Sequence, residues 1–203
     1  MKNKWVTDFH TRLPAGRLRY NPVMRICGLD EAGRGALAGP LVAAAVIGTL
    51  TNIKDSKLFS AKQRENIYER LIVSRAEIVI ETISVEEINK IGIQNANIQI
   101  FYKLISRIHA NKYIIDGNLK IDGAESIIDA DATIPEVILA GIVAKVERDK
   151  IMKRLHQEFN YYSWDENKGY GTKKHIQAIR QFGSCYHHRA VFVKTALSSK
   201  SKW

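Results

Sequence analysis

The sequence is poor in cysteine, in long apolar runs and, near both ends, in acid. Two cysteines in 203 residues, Cys27 and Cys185, make neither a disulfide framework nor a zinc-ligand pattern. They read as free, buried thiols of a reducing compartment. No apolar stretch is long enough to span a bilayer. The N-terminal MKNKWVTDFHTRL lacks the apolar segment of a secretory signal, so the expectation is a cytoplasmic protein with no membrane contact. No Ser-centred elbow motif occurs either, which sets aside one common class of hydrolase. What remains, 203 residues with 45% hydrophobic content, suffices for one core with a small appended helical part.

The acid shortage is local. Residues 1–25 carry 6 Lys/Arg against 1 Asp/Glu, residues 26–144 carry 12 against 15, and residues 145–203 carry 13 against 5. An acidic middle between two basic ends, with a net charge of +10, suits a nucleic-acid partner. The ends neutralise a phosphate backbone, and the centre needs cations to meet it. A solvated basic surface is the plainer reading of the same numbers.

The chain is organised around residues 26–48, ICGLDEAGRGALAGPLVAAAVIG. Two short apolar runs joined by Gly and Pro read as two strands of a buried sheet. The first ends in adjacent carboxylates, Asp30 and Glu31. Gly33 and Gly35 have no Cβ and let the backbone approach a ligand closely, and Arg34 between them adds a fixed charge. Carboxylates beside bare backbone and an arginine suit a phosphodiester held with hard, oxygen-seeking cations such as Mg²⁺ or Mn²⁺. Read singly, the acids cap a turn and the glycines bend it. The spacing also approaches a dinucleotide-binding fingerprint, with Asp55 about twenty residues on. That motif must open a helix, and Gly39-Pro40 before a β-like run does not.

Further along, Ser60/Gln63 and Ser84/Glu87 are capping boxes that start helices, and Ala76–Ser84 alternates as a strand. Asn95–Ala110 shows helical spacing of core residues. Lys112–Gly117 repeats the first pattern, a β-branched run ending in Asp116 before Gly. Ser126–Asp131, SIIDAD, repeats it with Asp131. Three strands that each deliver a carboxylate at an end converge if they are parallel neighbours. Taken alone, Asp116 is a turn residue and Asp131 an N-terminal helix charge. Pro135 opens a long helix, apolar first and basic later.

The stretch GLDEAGRGALAGPLVAAAV resembles the signature of the type 2 ribonuclease H family, ribonuclease HII. The resemblance extends over residues 25–193 through the Ala-Lys-Val-x-Arg-Asp run at 144–149, Lys168-Gly-Tyr-Gly-Thr172 and His188-Arg189 through Phe192. It implies an α/β, ribonuclease H-like fold, a mixed five-stranded sheet flanked by helices with a C-terminal helical extension. The expected division is a basic N-terminal extension at 1–25, a catalytic core at 26–157, and a substrate-contacting helical part and loose tail at 158–203. It implies that Asp30, Glu31, Asp116 and Asp131 are the catalytic, metal-holding carboxylates, with two Mg²⁺ or Mn²⁺ ions when substrate is bound. Gly33, Arg34 and Gly35 would read the ribose 2′-hydroxyl, which distinguishes RNA from DNA. Tyr170 would pack on the adjoining deoxyribose, and Lys57, Thr172 and Arg189 would contact substrate. On residues alone, Lys57 is equally a surface lysine, Tyr170 a core ring, and Thr172 a helix cap.

The implied activity is endonucleolytic cleavage of RNA in RNA–DNA hybrids and on the 5′ side of single ribonucleotides in duplex DNA. It would leave 3′-hydroxyl and 5′-phosphate ends, and the protein would act as a monomer. Val191, Gly141, Ala130, Thr133 and Asp129 depart from the family pattern. The rivals are a type 3 ribonuclease H preferring long hybrids, a non-catalytic nucleic-acid binder on the same fold, and the dinucleotide-dependent oxidoreductase.

Overall fold

The computed structural model describes residues 24–50 and 59–198. The expected N-terminal extension therefore lies almost wholly outside the described residues, as do Lys57 and the end of the tail. The described chain runs β1 (Ile26–Ala32), β2 (Leu41–Ile47), α1 (Ala61–Ile72), β3 (Glu77–Ile83), α2 (Val85–Ile91), α3 (Ile93–Ile105), β4 (Lys112–Asp116) and β5 (Glu125–Ile127). It continues through α4 (Ala130–Thr133), α5 (Pro135–Glu158), a turn of 3-10 helix at Asn160–Tyr162, α6 (Trp164–Asn167), α7 (Lys173–Phe182) and α8 (Ala190–Ser198). The expected mixed sheet of five strands is present, in the order β3-β2-β1-β4-β5. β1 is antiparallel to β2 and parallel to β4, and β5 is parallel to β4. No helix among the described residues is long and apolar enough to cross a membrane.

Period-2 alternation divides β1 between two layers. Cys27 and Leu29 join Leu41, Ala43 and Ala45 in a core beneath α3. Ala32 joins Ala44 and Val46 in a second core beneath α1 and α5. Gly28, on that second face, lets α5 come close: a Cβ there would lie 2.2 Å from the carbonyl carbon of Glu136. The far end of α5 runs on to a third core, where Met152 packs with Leu37, Tyr162, Trp164, Ile176 and Ile179.

The helix starts hold in detail. Ser60 and Gln63 form both halves of the expected capping box. At Ser84 only one half of the expected box forms among the described residues: the hydroxyl accepts from the Glu87 N–H, without a return bond from the Ser84 N–H to the Glu87 side chain. Two boundaries differ. α3 begins at Ile93 and stops at Ile105, where Ser106 turns its hydroxyl back onto the Lys103 carbonyl. The strand expected over Ser126–Asp131 is only Glu125–Ile127 long. Asp129 takes the left-handed conformation (φ 58°), which short polar side chains tolerate. The ladder ends there, and Asp131 sits in the first turn of α4, not at a strand end.

Candidate active site

Adjacent residues of a strand point to opposite faces, so Asp30 and Glu31 diverge. Asp30 looks toward α5, where a Cβ on Gly141 would lie 2.3 Å from its Oδ2. Its Oδ1 accepts from the Glu31 N–H at 2.7 Å. Glu31 looks toward α3, where Asn97 Nδ2 donates to its Oε1 at 3.3 Å, and Arg34 Nη1 lies 4.0 Å from the same oxygen. The parallel register sets Leu29 opposite Ile115, which brings Asp30 level with Asp116 one residue on. Asp116 Oδ1 in turn accepts from the N–H of Asp131, at 3.2 Å. The C-terminal ends of two neighbouring central strands and one helix start thus carry the four sequence-predicted carboxylates on the same side of the sheet's ends.

Their electrostatics follow from crowding. Burial raises Asp30 well above the ordinary Asp value, the Glu31 charge raises it further, and Asp116 and Asp131 add to that. The bond from the Glu31 N–H opposes the rise only in part. Glu31 is raised by burial first, against the lowering effects of Arg34 and Asn97. Desolvated carboxylates that repel one another favour a cation of high charge, and an all-oxygen set favours a hard one. The donors therefore fit Mg²⁺ or Mn²⁺. As they stand, no three His, Cys, Asp or Glu side chains among the described residues are grouped closely enough to hold an ion.

The glycine-rich turn lies beside these acids. Gly33 has φ 94°, and a Cβ there would run into the Arg148 side chain at 1.9 Å from Nε. Gly35 is exposed, with open space where its Cβ would be, and Arg34 is half-exposed. Across the turn, the Leu37 and Ala38 N–H groups both donate to Gly169 O, at 2.8 and 3.1 Å. That contact ties the turn to the segment carrying Tyr170. The Tyr170 ring is 36% exposed and has Arg148 Cζ 5.3 Å and Lys145 Nζ 5.7 Å from its centroid. Its face is therefore flanked by cations and open to solvent, not enclosed in the core. Thr172 is exposed and caps α7, its hydroxyl oxygen accepting from His175 N–H at 3.3 Å.

Arg189 is not where the sequence reading put it. It is fully buried, and its guanidinium donates to Gly39 O (Nε 3.0 Å, Nη2 2.8 Å) and to Arg34 O (Nη1 3.0 Å). It supports the turn from inside and does not face a substrate. The sequence reading also passed over Arg148 and Asn97. Arg148 read as one more base on a basic helix, yet it is fully buried in an i, i+4 row with Ala144 and Met152, which was the available signal. Asn97 sat unremarked within the helical core pattern of α3. Behind Tyr170, His175 Nδ1 lies 2.9 Å from the Tyr170 carbonyl. Its Nε2 accepts from Trp164 Nε1–H at 3.1 Å, fixing it as a neutral positioning group.

Comparison with known proteins bears on these residues. The family profile described as Ribonuclease HII matches residues 27–196. A Ribonuclease HII of Burkholderia pseudomallei (strain 668) is 39% identical over 176 residues, covering 82% of each chain. Among solved structures, the RNase HII of Archaeoglobus fulgidus, determined in complex with PCNA, superposes with a TM-score of 0.72 at 23% identity, over 82% of this chain and 94% of that one. The ribonuclease H2 of Pyrococcus horikoshii OT3 gives 0.70 at 23% identity, over 85% and 97%. At that identity the structural likeness speaks for the fold, and the sequence matches speak for the family.

Proposed function

Since the chain belongs to the ribonuclease HII family and is thereby a ribonuclease H, we propose that it cuts RNA–DNA hybrids and, on the 5′ side of single ribonucleotides, duplex DNA, leaving 3′-hydroxyl and 5′-phosphate ends. The observation that carries this reading is the meeting of Asp30, Glu31, Asp116 and Asp131 at the ends of the central strands beside an exposed, Cβ-free Gly35. The four carboxylates would hold the divalent cations. When bound, these supply positive charge at the scissile phosphate and lower the pKa of the attacking water.

The chain's own groups do the rest. Asp30, held beside α5, and Glu31, held beside α3, would present their carboxylates to the phosphate at the end of β1. Main-chain groups around Gly35 approach the ribose because no side chain stands between them and the sugar. Tyr170 presents an open ring face for the adjoining sugar or base, and Lys145 beside it suits the phosphate that follows. The test is Asp30→Asn. Cleavage of a ribonucleotide-containing duplex is expected to be lost while duplex binding remains measurable. Retained turnover would remove Asp30 from the site.

A further inference from the structure

Two arginines lie wholly inside the protein behind the turn, and among the described residues neither makes an ion pair with a carboxylate. Their partners are main-chain carbonyls. Arg148 donates from Nε to Pro40 O at 3.0 Å, from Nη2 to Ala38 O at 3.0 Å and from Nη1 to Lys168 O at 2.8 Å. Arg189 donates to Gly39 O and Arg34 O, as described above. Between them they take up the carbonyls of residues 34, 38, 39, 40 and 168. Burial lowers both guanidiniums, Arg189 to about 9, and the nearness of Arg148 adds to the lowering of Arg189. Two buried like charges each give up hydration, so the arrangement is not an inexpensive way to fill space.

Peptide geometry gives the arrangement a direction. No cis peptide occurs among the described residues, and in a trans peptide the C=O and N–H point opposite ways. Holding the Arg34 carbonyl inward on Arg189 aims the next N–H, that of Gly35, outward. That N–H makes no hydrogen bond among the described residues, in a part of the turn that is exposed. Arg148 meanwhile bonds both to the turn, at residues 38 and 40, and to the Tyr170 segment, at Lys168.

We infer that Arg148 and Arg189 are positioning residues that hold the 34–40 turn and the Tyr170 segment in fixed register with the carboxylates, so that the cut falls on one phosphodiester. The role rests on the proposed cleavage beside ribonucleotides. A planar fork reaching several carbonyls is needed, and a lysine point charge does not supply it.

The test compares Arg189→Lys and Arg148→Lys with the wild type in two ways. The first is amide hydrogen exchange without substrate, which does not depend on activity. The hydrogen-bonded amides of the turn, those of Ala36, Leu37, Ala38 and Gly39, are expected to exchange at least about tenfold faster in each variant, with β1 and α5 unchanged. The second is cleavage of a DNA duplex carrying four consecutive ribonucleotides in one strand, read as the distribution of product ends. A smaller folded fraction lowers the rate and leaves that distribution unchanged. A displaced turn spreads it over neighbouring phosphodiesters and lowers kcat by roughly 10²-fold, the scale of an ångström-sized misplacement, with KM within threefold. Unchanged exchange, or faster exchange with an unchanged distribution, would overturn the role. If the wild type does not cut this duplex, the proposed function fails and the clamp is judged by exchange alone.

Discussion

At the residue scale, the site works against its own fold. Asp30 and Glu31 are buried among other carboxylates, and folding raises both pKa values. Between the ordinary Asp value of 3.8 and the raised one, the folded protein holds more protons than the unfolded chain. The sign follows. In the absence of divalent cations, stability is complete below that window and is lost as pH rises through it. In EDTA, the wild-type Tm is expected to fall, as pH rises from the ordinary Asp value through the raised one, by more than that of Asp30→Asn. Once both carboxyls of the folded wild type have ionised, the variant is expected to be the more stable, read as the higher Tm. Parallel pH profiles for the two proteins in a thermal-melt series would contradict the crowding argument.

The same scale shows where sequence reading reached its limit. Asp30 and Asp116 are legible because an apolar run ending in an acid before Gly is a local pattern. Asp131 was found for a partly wrong reason: Ile127-Ile128 looks like a strand, but Asp129 turns left-handed and starts a helix. The substrate contact expected of Arg189 rests on the family resemblance alone. Its partners, Arg34 and Gly39, lie 155 and 150 residues away in the chain, and no local pattern encodes such a contact.

At the element scale, β1 and α5 fix the site between them. α5 rests on β1 at Gly28, and its next turns bring Gly141 to Asp30 and Arg148 to the turn. A side chain at position 28 would collide with main chain at Glu136 and Val137, neither of which can swing aside. Gly28→Val is therefore expected to cost about 3 kcal/mol, at the upper end for overpacking, read as a Tm drop of roughly 6–12 °C in calorimetry. A variant melting within 2 °C of wild type would mean that α5 does not pack on β1 as described. The strands and capped helices were readable in advance because alternation, Gly-Pro breaks and Ser/Gln boxes are short-range signals. The partition of β1 between two cores was not, because it depends on which helices cover each face.

At the scale of the whole molecule, the carboxylates belong to the acidic middle of the sequence, and the chain that follows them is basic, with 13 Lys/Arg against 5 Asp/Glu over residues 145–203. The turn and the Tyr170 segment meet at Gly169. That division, acid for cations and base for phosphates, is the central claim, and cleavage chemistry tests it most directly. The measurement is incubation of the protein with a DNA duplex containing one ribonucleotide, with Mg²⁺, with Mn²⁺ and with EDTA, followed by mapping of the product ends. The expected result is a single cut immediately 5′ of the ribonucleotide, with 3′-hydroxyl and 5′-phosphate ends, in either metal and not in EDTA. Cutting in EDTA, or no cutting with either metal despite tight duplex binding, would contradict it.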